Sequence, residues 1–186
     1  MNRFTVFDTP IDDLKLIERS AISDHRGYFE RLFCLQDLVD LIDTKSIVQI
    51  NRSLTINSGS VRGLHFQHPP DSECKFVTCT RGKVFDVAVD LRINSPTFLR
   101  FHSEILTENN HKTFYIPEGF AHGFQTLSDN CELLYLHTSC YSSRSQGALN
   151  AIDPKLGINW PLDITNRSKR DLNQPLICSN FKGISL

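Results

Sequence analysis

Long apolar runs are missing from this 186-residue sequence. No stretch approaches the roughly 20 apolar residues that a membrane-spanning helix requires. The first eight residues, MNRFTVFD, also lack the uninterrupted apolar segment of a secretory signal peptide. We therefore expect a cytoplasmic protein that does not insert into a membrane.

An excess of one charge sign and a regular cysteine pattern are missing as well. The formal net charge is −1, which argues against a nucleic-acid partner or an anionic membrane surface. The cysteines form no Cys-x-x-Cys pair, and without an export signal they are expected to be buried thiols rather than disulfides or zinc ligands. They are Cys34, Cys74, Cys79, Cys131, Cys140 and Cys178.

Helical periodicity occurs in only one segment, residues 35–42. The segment from residue 142 onward is polar and irregular, with Trp160 as its apolar anchor. The length of 186 residues and the apolar content of 40% predict that the whole sequence, residues 1–186, forms one domain. Short strands separated by turn residues, as in a sandwich or barrel, make up the rest. The predicted strands are 14–22, 46–55, 61–67, 75–80, 84–91, 98–106, 112–116, 123–127 and 133–138.

Two histidine-containing runs stand out, RGLHFQ at residues 62–67 and PEGFAHGF at residues 117–124. The second fits the cupin signature in which Pro-x-Gly precedes a histidine that points into a β-barrel. A metal-binding cupin also carries His-x-His on one strand, so that two imidazoles point inward together. Here Gln67 takes the second ligand position after His65. We expect a barrel whose pocket holds no metal and uses a histidine for proton chemistry.

Residues 84–92 alternate more clearly than any other segment. Every second residue from Phe85 to Leu91 is apolar, whereas the opposite face carries Asp86, Asp90 and Arg92. Such a polar face lies either in solvent, as is common for antiparallel sheets, or along a polar cavity. Polar residues at matching positions on neighbouring predicted strands favour the cavity.

Three side chains together have the chemistry needed to move a proton beside a ketone. This reaction needs a base over the C–H bond, a cation or donor at the enolate oxygen, and an acid on the opposite face. The imidazole of His65 can act as the base, Lys75 can stabilise the enolate as an ammonium, and Tyr135 can donate as a phenol. Taken singly, each of these residues is more often a packing or surface residue than a catalytic one, and it is their combination that points to this chemistry.

Further runs occur in colinear order from about Asp24 to about Pro175, at residues 85–92, 95–98, 116–124 and 168–171. Together with the three side chains above, they resemble the dTDP-4-dehydrorhamnose 3,5-epimerases. The resemblance implies an all-β, cupin-type jelly-roll barrel with one or two short helices and an irregular C-terminal segment. It also implies a homodimer without metal or cofactor that inverts C3 and/or C5 of a nucleotide-linked 4-keto-6-deoxyhexose. Its pathway would be deoxysugar biosynthesis for surface polysaccharide, such as the O-antigen of lipopolysaccharide.

The same resemblance implies roles for individual residues. The base corresponds to His65 with Asp171 as its carboxylate partner, Lys75 stabilises the enolate, and Tyr135 is the acid on the opposite face. Tyr141 would stack on the nucleobase, and the arginines suit a diphosphate. The implied substrate-binding residues are Arg26, Arg31, Gln49, Asn51, Arg62, His122, Tyr141, Gln146 and Arg170.

The nucleotide-binding positions depart from the family pattern. Arg31 and Gln146 stand where glutamates are usual, and Arg170 stands where a lysine is usual. Exchanging a carboxylate acceptor for a cationic donor reverses the hydrogen-bond polarity at that contact. The sequence therefore leaves both dTDP and CDP open as the nucleotide.

Three alternatives remain open at this point. The first is a single-site epimerase that inverts only C3 or only C5 of a CDP-linked sugar. The second is a metal cupin with His65, His68, Glu73 and His122 as ligands, although the three-residue spacing puts His68 on the other side of a strand from His65. The third is a sugar-binding cupin without catalysis, which is expected to lack the catalytic set that is intact here.

Overall fold

Two antiparallel β-sheets form the body of the protein in the computed structural model, which describes residues 3–186. Two short helices, α1 (Val39–Ile42) and α2 (Lys169–Leu172), accompany them. The strands are β1 (Phe4–Asp8), β2 (Lys15–Arg19), β3 (Ile22–Asp24), β4 (Gly27–Phe29), β5 (Gln49–Thr55), β6 (Val61–Gln67), β7 (Lys75–Arg81), β8 (Lys83–Asp90), β9 (Phe101–Thr107), β10 (Lys112–Ile116), β11 (Phe120–Thr126), β12 (Cys131–His137) and β13 (Gln146–Ala148).

The strand order brings distant parts of the chain together. The first sheet runs β1-β2-β10-β7-β12-β5 and the second runs β13-β6-β11-β8-β9, while β3 and β4 form a separate hairpin. The sheets pack face to face around a buried apolar core, in which Val77 and Phe114 of the first sheet join Ala88, Leu106 and Phe124 of the second. This architecture confirms the predicted all-β, cupin-type jelly roll with two short helices.

The alternation of β8 separates the barrel interior from an outer core. Val87 and Val89 point outward, into an apolar cluster with Leu156 and other residues of the C-terminal segment. Asp86 and Asp90 are fully buried at 0% exposure, so the polar face of this strand does not lie in solvent. The solvent interpretation is therefore wrong, and the cavity interpretation holds only indirectly: Asp86 contacts the cavity-lining His122, whereas Asp90 accepts hydrogen bonds from Arg92, Ser95 and Thr97.

The segment after β13 is irregular apart from α2, as the sequence predicts, and it covers the outer face of the second sheet. Trp160 anchors it by donating from its indole nitrogen to the Ala151 carbonyl at 2.8 Å and by packing edge-on against Phe85. The hydroxyl of Ser168 accepts the backbone N–H of Asp171 at 3.1 Å and so caps α2. This cap fixes the residues around Asp171.

Several predicted boundaries were wrong. The predicted strand 14–22 is in fact two elements, β2 and β3. The break between them was not predicted because no glycine or proline marks it in the sequence. The predicted helix 35–42 shortens to α1, and it ends at Asp43, whose φ is +50°. No sequence pattern predicted β1, β4, β13 or α2, because elements of three to five residues are too short to show a clear period.

The cysteines are all free thiols, as expected, but they are not all buried. Cys74, Cys79 and Cys131 lie in the core, whereas Cys140 and Cys178 are exposed. The expectation of buried thiols was therefore wrong for these two, which lie in irregular segments outside the sheets. Over residues 3–186, no helix has the length and apolarity to cross a membrane.

Candidate active site

A histidine–carboxylate pair lies at one wall of the barrel. His65 on β6 contacts Asp171 on α2, with 2.7 Å between Nε2 and Oδ1, although 106 residues separate them in the chain. Burial acts to raise the pKa of Asp171, but the hydrogen bond and charge of His65 and the contact with Ser168 lower it by more, so that the pKa lies below its ordinary value. Asp171 is therefore ionised at neutral pH and orients the imidazole of His65.

A second pair lies beside the first. His122 on β11 is the cross-strand partner of His65, and its Nε2 lies 2.8 Å from Oδ1 of Asp86. The strands approach closely here because Gly63 faces Gly123, where a Cβ on Gly63 would lie 2.6 Å from the Gly123 Cα. Burial raises the pKa of Asp86, and the nearby His122 opposes that shift.

Tyr135 on β12 faces this wall from the other sheet. Its hydroxyl lies 3.1 Å from the Ser53 hydroxyl on β5, and its ring packs edge-on against His122 with centroids 6.1 Å apart. Burial raises the pKa of Tyr135, so the phenol keeps its proton throughout the neutral range. A neutral phenol in this position can donate a proton but does not act as a resting base.

Lys75 on β7 completes the polar lining. Its Nζ lies 3.1 Å from Glu73 and 3.4 Å from the carbonyl oxygen of His65, so the ammonium lies next to the His65 backbone. The other oxygen of Glu73 lies 2.7 Å from Nδ1 of His137. A cation held within the same cavity as an imidazole and a phenol can stabilise negative charge that develops on a bound oxygen.

These groups surround one cavity of about 300 Å³ between the two sheets. A second cavity of about 440 Å³ adjoins it and shares Arg62 and His65 with it. The predicted residues that line the first cavity are Asn51, Arg62, His65, Lys75, His122, Tyr135, Tyr141 and Gln146, and Arg170 and Asp171 line the second.

Three of the predicted residues lie outside the cavity lining. Gln49 supports the cavity indirectly, because its side-chain oxygen accepts the backbone N–H of Tyr141 at 2.9 Å. Arg26 pairs with Asp24 on the exposed hairpin, and Arg31 contacts Asp37 at 3.4 Å on the surface. Within one chain, the structure does not bring Arg26 and Arg31 to the other site residues, so their roles in binding stay predictions.

Sequence reasoning missed four residues that shape the cavity. His137 and Ser53 were not singled out, and Glu73 was considered only as a metal ligand. Asp86 was recognised as polar but not as the partner of His122. The sequence did contain a signal for two of them. Residues two positions apart share one face of a strand, and His137 follows Tyr135 by two positions, as Ser53 follows Asn51.

The Gln67 side chain is fully engaged in holding loops. Its amide nitrogen donates to the carbonyls of Asp71 at 2.8 Å and Cys140 at 3.1 Å, and its oxygen accepts the Ser142 N–H at 2.6 Å. His68, a ligand in the metal alternative, is exposed. Gln67 therefore has a structural role at the position where a metal cupin carries its second histidine.

We predict that a chelator leaves turnover unchanged. Gln67, at the second ligand position, is held by Asp71, Cys140 and Ser142, and over residues 3–186 no group of three or more His, Cys, Asp or Glu side chains is placed to hold a metal ion. The measurement compares the rate before and after exhaustive dialysis against EDTA. Loss of activity that a divalent ion restores would show that this prediction is wrong.

Comparisons with known proteins agree on one family. The sequence model of the dTDP-4-dehydrorhamnose 3,5-epimerases matches residues 8–179. The enzyme of that name from Sinorhizobium fredii is 41% identical over 169 residues, covering 90% of this chain and 87% of the relative. The crystal structure of the Bacillus anthracis enzyme with TDP and PPi bound superposes with a TM-score of 0.90 at 36% identity, covering 94% and 99% of the two chains. A dTDP-6-deoxy-D-glucose-3,5-epimerase from Legionella pneumophila, in complex with dTDP-4-keto-L-rhamnose, gives a TM-score of 0.88 at 38% identity and covers 93% and 92%.

Proposed function

This chain belongs to the dTDP-4-dehydrorhamnose 3,5-epimerase family, whose members are isomerases, and we propose that it inverts both C3 and C5 of a dTDP-linked 4-keto-6-deoxyhexose without a metal or cofactor. The observation that carries the proposal is the arrangement of His65 and Tyr135. They reach one cavity from opposite sheets, the first paired with an ionised carboxylate and the second kept neutral by burial. A base and an acid on opposite sides of a carbon can invert its configuration.

The proposed reaction moves one proton off and one proton onto each carbon beside the ketone. His65 takes the proton from the C–H bond, the electron pair flows into the carbonyl, and the Lys75 ammonium stabilises the enolate oxygen. Tyr135 then gives its hydroxyl proton to the opposite face of the carbon. His65 and Tyr135 recover their starting states by exchange with water, and the second carbon repeats the sequence.

The residues around the catalytic groups suit a nucleotide sugar. Arg62 borders both cavities and Arg170 lies in the second, and guanidinium groups bind phosphates through paired hydrogen bonds. The exposed ring of Tyr141, held by Gln49 and by a 2.8 Å hydrogen bond to Gln146, offers a flat surface for a nucleobase. We place the product in deoxysugar biosynthesis for surface polysaccharide, in the cytoplasm where nucleotide sugars are made.

Incubation of the purified protein with dTDP-4-keto-6-deoxy-D-glucose tests this proposal. The product is expected to show inverted configuration at C3 and C5 by NMR coupling constants, and the CDP-linked sugar is expected to react more slowly. Inversion at a single carbon would replace the proposal with the single-site alternative, and faster reaction of the CDP-linked sugar would overturn the assignment of dTDP as the nucleotide.

We also propose a homodimer formed through β5. This strand is an edge of the first sheet, and its outer face exposes Ile50 at 63% and Leu54 at 46%. Unpaired edges with apolar side chains are normally covered in native proteins. Since β5 also lines the cavity and Arg26 and Arg31 lie outside the cavity of their own chain, we propose that these two arginines act on the cavity of the second copy.

The Ile50→Asp change is expected to convert the dimer to a folded monomer, because a buried unpaired charge opposes association by several kcal/mol. Light scattering measures the mass, and Ile152→Asp serves as the control because Ile152 is 52% exposed outside both sheets. A monomeric native protein, or a dimer that survives Ile50→Asp, would contradict this interface.

A further inference from the structure

A chain of polar contacts behind Lys75 has no role in the mechanism above. The Lys75 Nζ lies 3.1 Å from one Glu73 oxygen, and the other oxygen of Glu73 lies 2.7 Å from Nδ1 of His137. Nε2 of His137 lies 3.2 Å from the amide nitrogen of Asn51. The side chains of Lys75, Glu73 and His137 are only 9–10% exposed, and all four residues line the cavity.

The fold fixes this chain of contacts from three neighbouring strands. His137 at the end of β12 pairs with Gln49 of β5 on one side and with Lys75 of β7 on the other. The His137 ring stacks on Tyr135 at an interplanar angle of 21° with centroids 6.1 Å apart. Glu73 lies just before β7, so its carboxylate reaches both Lys75 and His137.

The charges in this chain of contacts are balanced. Burial acts to raise the pKa of Glu73, but the hydrogen bond from His137 and the charge of Lys75 lower it by more, and Glu73 is therefore ionised. A carboxylate beside an ammonium favours the charged form of the amine. Lys75 also donates to the backbone carbonyl oxygen of His65 at 3.4 Å, and the charge of Asp86 interacts with that of Lys75.

The hydrogen bonds also define the orientation of Asn51. The amide nitrogen of Asn51 can only donate, so in this contact Nε2 of His137 accepts the Asn51 N–H and Nδ1 faces the Glu73 carboxylate. The amide nitrogen of Asn51 is thereby occupied, and its carbonyl oxygen remains available to the cavity.

We propose that Glu73 and His137 are positioning residues, Glu73 holding the Lys75 ammonium in place for the enolate through their ion pair and His137 fixing the Asn51 amide for the substrate. The catalytic consequence rests on the proposed epimerase function, whereas the effect on Lys75 does not. The two residues consequently affect different steps. Glu73 supports the chemical step through Lys75, and His137 supports binding through Asn51.

Chemical labelling of Lys75 tests the role of Glu73 independently of activity. Only the neutral amine reacts with acetic anhydride, and loss of an opposite charge within hydrogen-bonding distance changes an amine's protonation equilibrium by about tenfold or more. In Glu73→Gln, acetylation of Lys75 at fixed pH is expected to rise about tenfold relative to the exposed Lys83, measured by peptide mass spectrometry. Glu73→Asp keeps the charge and is expected to label slowly, like the native protein.

A matched control exists elsewhere in the chain. Glu104 lies 2.9 Å from His102 and 3.4 Å from Lys112, which repeats the lysine–glutamate–histidine arrangement away from the cavity. Glu104→Gln is expected to leave both Lys75 labelling and turnover at native values. Lys75 labelling that stays at the native rate in Glu73→Gln would overturn the role of Glu73, even if the native protein is a fully active epimerase.

The kinetic constants separate the two positions. Glu73→Gln is expected to lower kcat about tenfold with little change in KM, less than the roughly hundredfold loss that follows removal of a direct electrostatic stabiliser. His137→Asn is expected to raise KM roughly three- to tenfold, the effect of one lost hydrogen bond, with native Lys75 labelling. A fall in kcat without a rise in KM in His137→Asn would overturn its assigned role, and this variant tests the proposal even if Glu73→Gln does not fold.

Discussion

Replacing His65 with alanine is expected to lower turnover by about a thousandfold or more and to abolish the exchange of substrate hydrogens with solvent deuterium. His65 is paired with the ionised Asp171 and lines the cavity, so it is the group that can receive the proton from carbon. Without it, no enolate forms at either carbon, and both exchange and inversion stop together. Deuterium incorporation followed by NMR measures the exchange directly.

Two further variants show whether the loss belongs to the base. His102→Ala removes another histidine paired with a carboxylate, Glu104, outside the cavity, and it is expected to keep native exchange. Asp171→Asn is expected to give a smaller loss than His65→Ala, because the imidazole remains but loses the carboxylate that fixes its tautomer. Near-native exchange in His65→Ala would show that another residue is the base.

The Tyr135→Phe change is expected to separate exchange from inversion. His65 and Lys75 remain, so the enolate still forms and can recapture a deuteron on its original face. Burial keeps the Tyr135 phenol protonated, and the variant has no such group to protonate the opposite face. We expect net inversion to fall about a hundredfold, the usual contribution of a general acid, while exchange falls less than about tenfold.

Ser53→Ala provides the comparison for this variant. It removes the hydroxyl 3.1 Å from the Tyr135 hydroxyl but leaves the phenol in place, so exchange and inversion are both expected to stay close to native values. An equal loss of exchange and inversion in Tyr135→Phe would contradict the assignment of Tyr135 as the acid. It would instead indicate that the phenol helps to form the enolate.

The barrel and one polar wall of the cavity were predictable from local patterns. The alternation of β8 and the runs at residues 62–67 and 117–124 predict strands whose polar faces meet inside a barrel. Strand ends were less predictable, since Pro117 and Gly119 precede a strand that starts at Phe120, three residues before the predicted start at 123. A turn signal shows where a strand is interrupted but not which residues first join the ladder.

The partners of the proposed catalytic groups were much harder to predict. Asp171 lies 106 residues from His65 on a four-residue helix, and only the family resemblance connected the two. Glu73 and His137 meet because β7 and β12 are neighbours in the first sheet. No local sequence pattern determines the order of strands in a sheet. Long-range pairing therefore explains why the sequence could suggest His65 and Tyr135 as base and acid but could not connect Glu73 and His137 to Lys75.

The measurement that tests the central claim most directly is the position of deuterium in the product made by the native protein in heavy water. If His65 and Tyr135 invert both carbons through solvent-exchanged protons, the product of dTDP-4-keto-6-deoxy-D-glucose will carry deuterium at C3 and at C5, with both centres inverted. A product with inverted centres and no deuterium, or no product at all, would contradict the account.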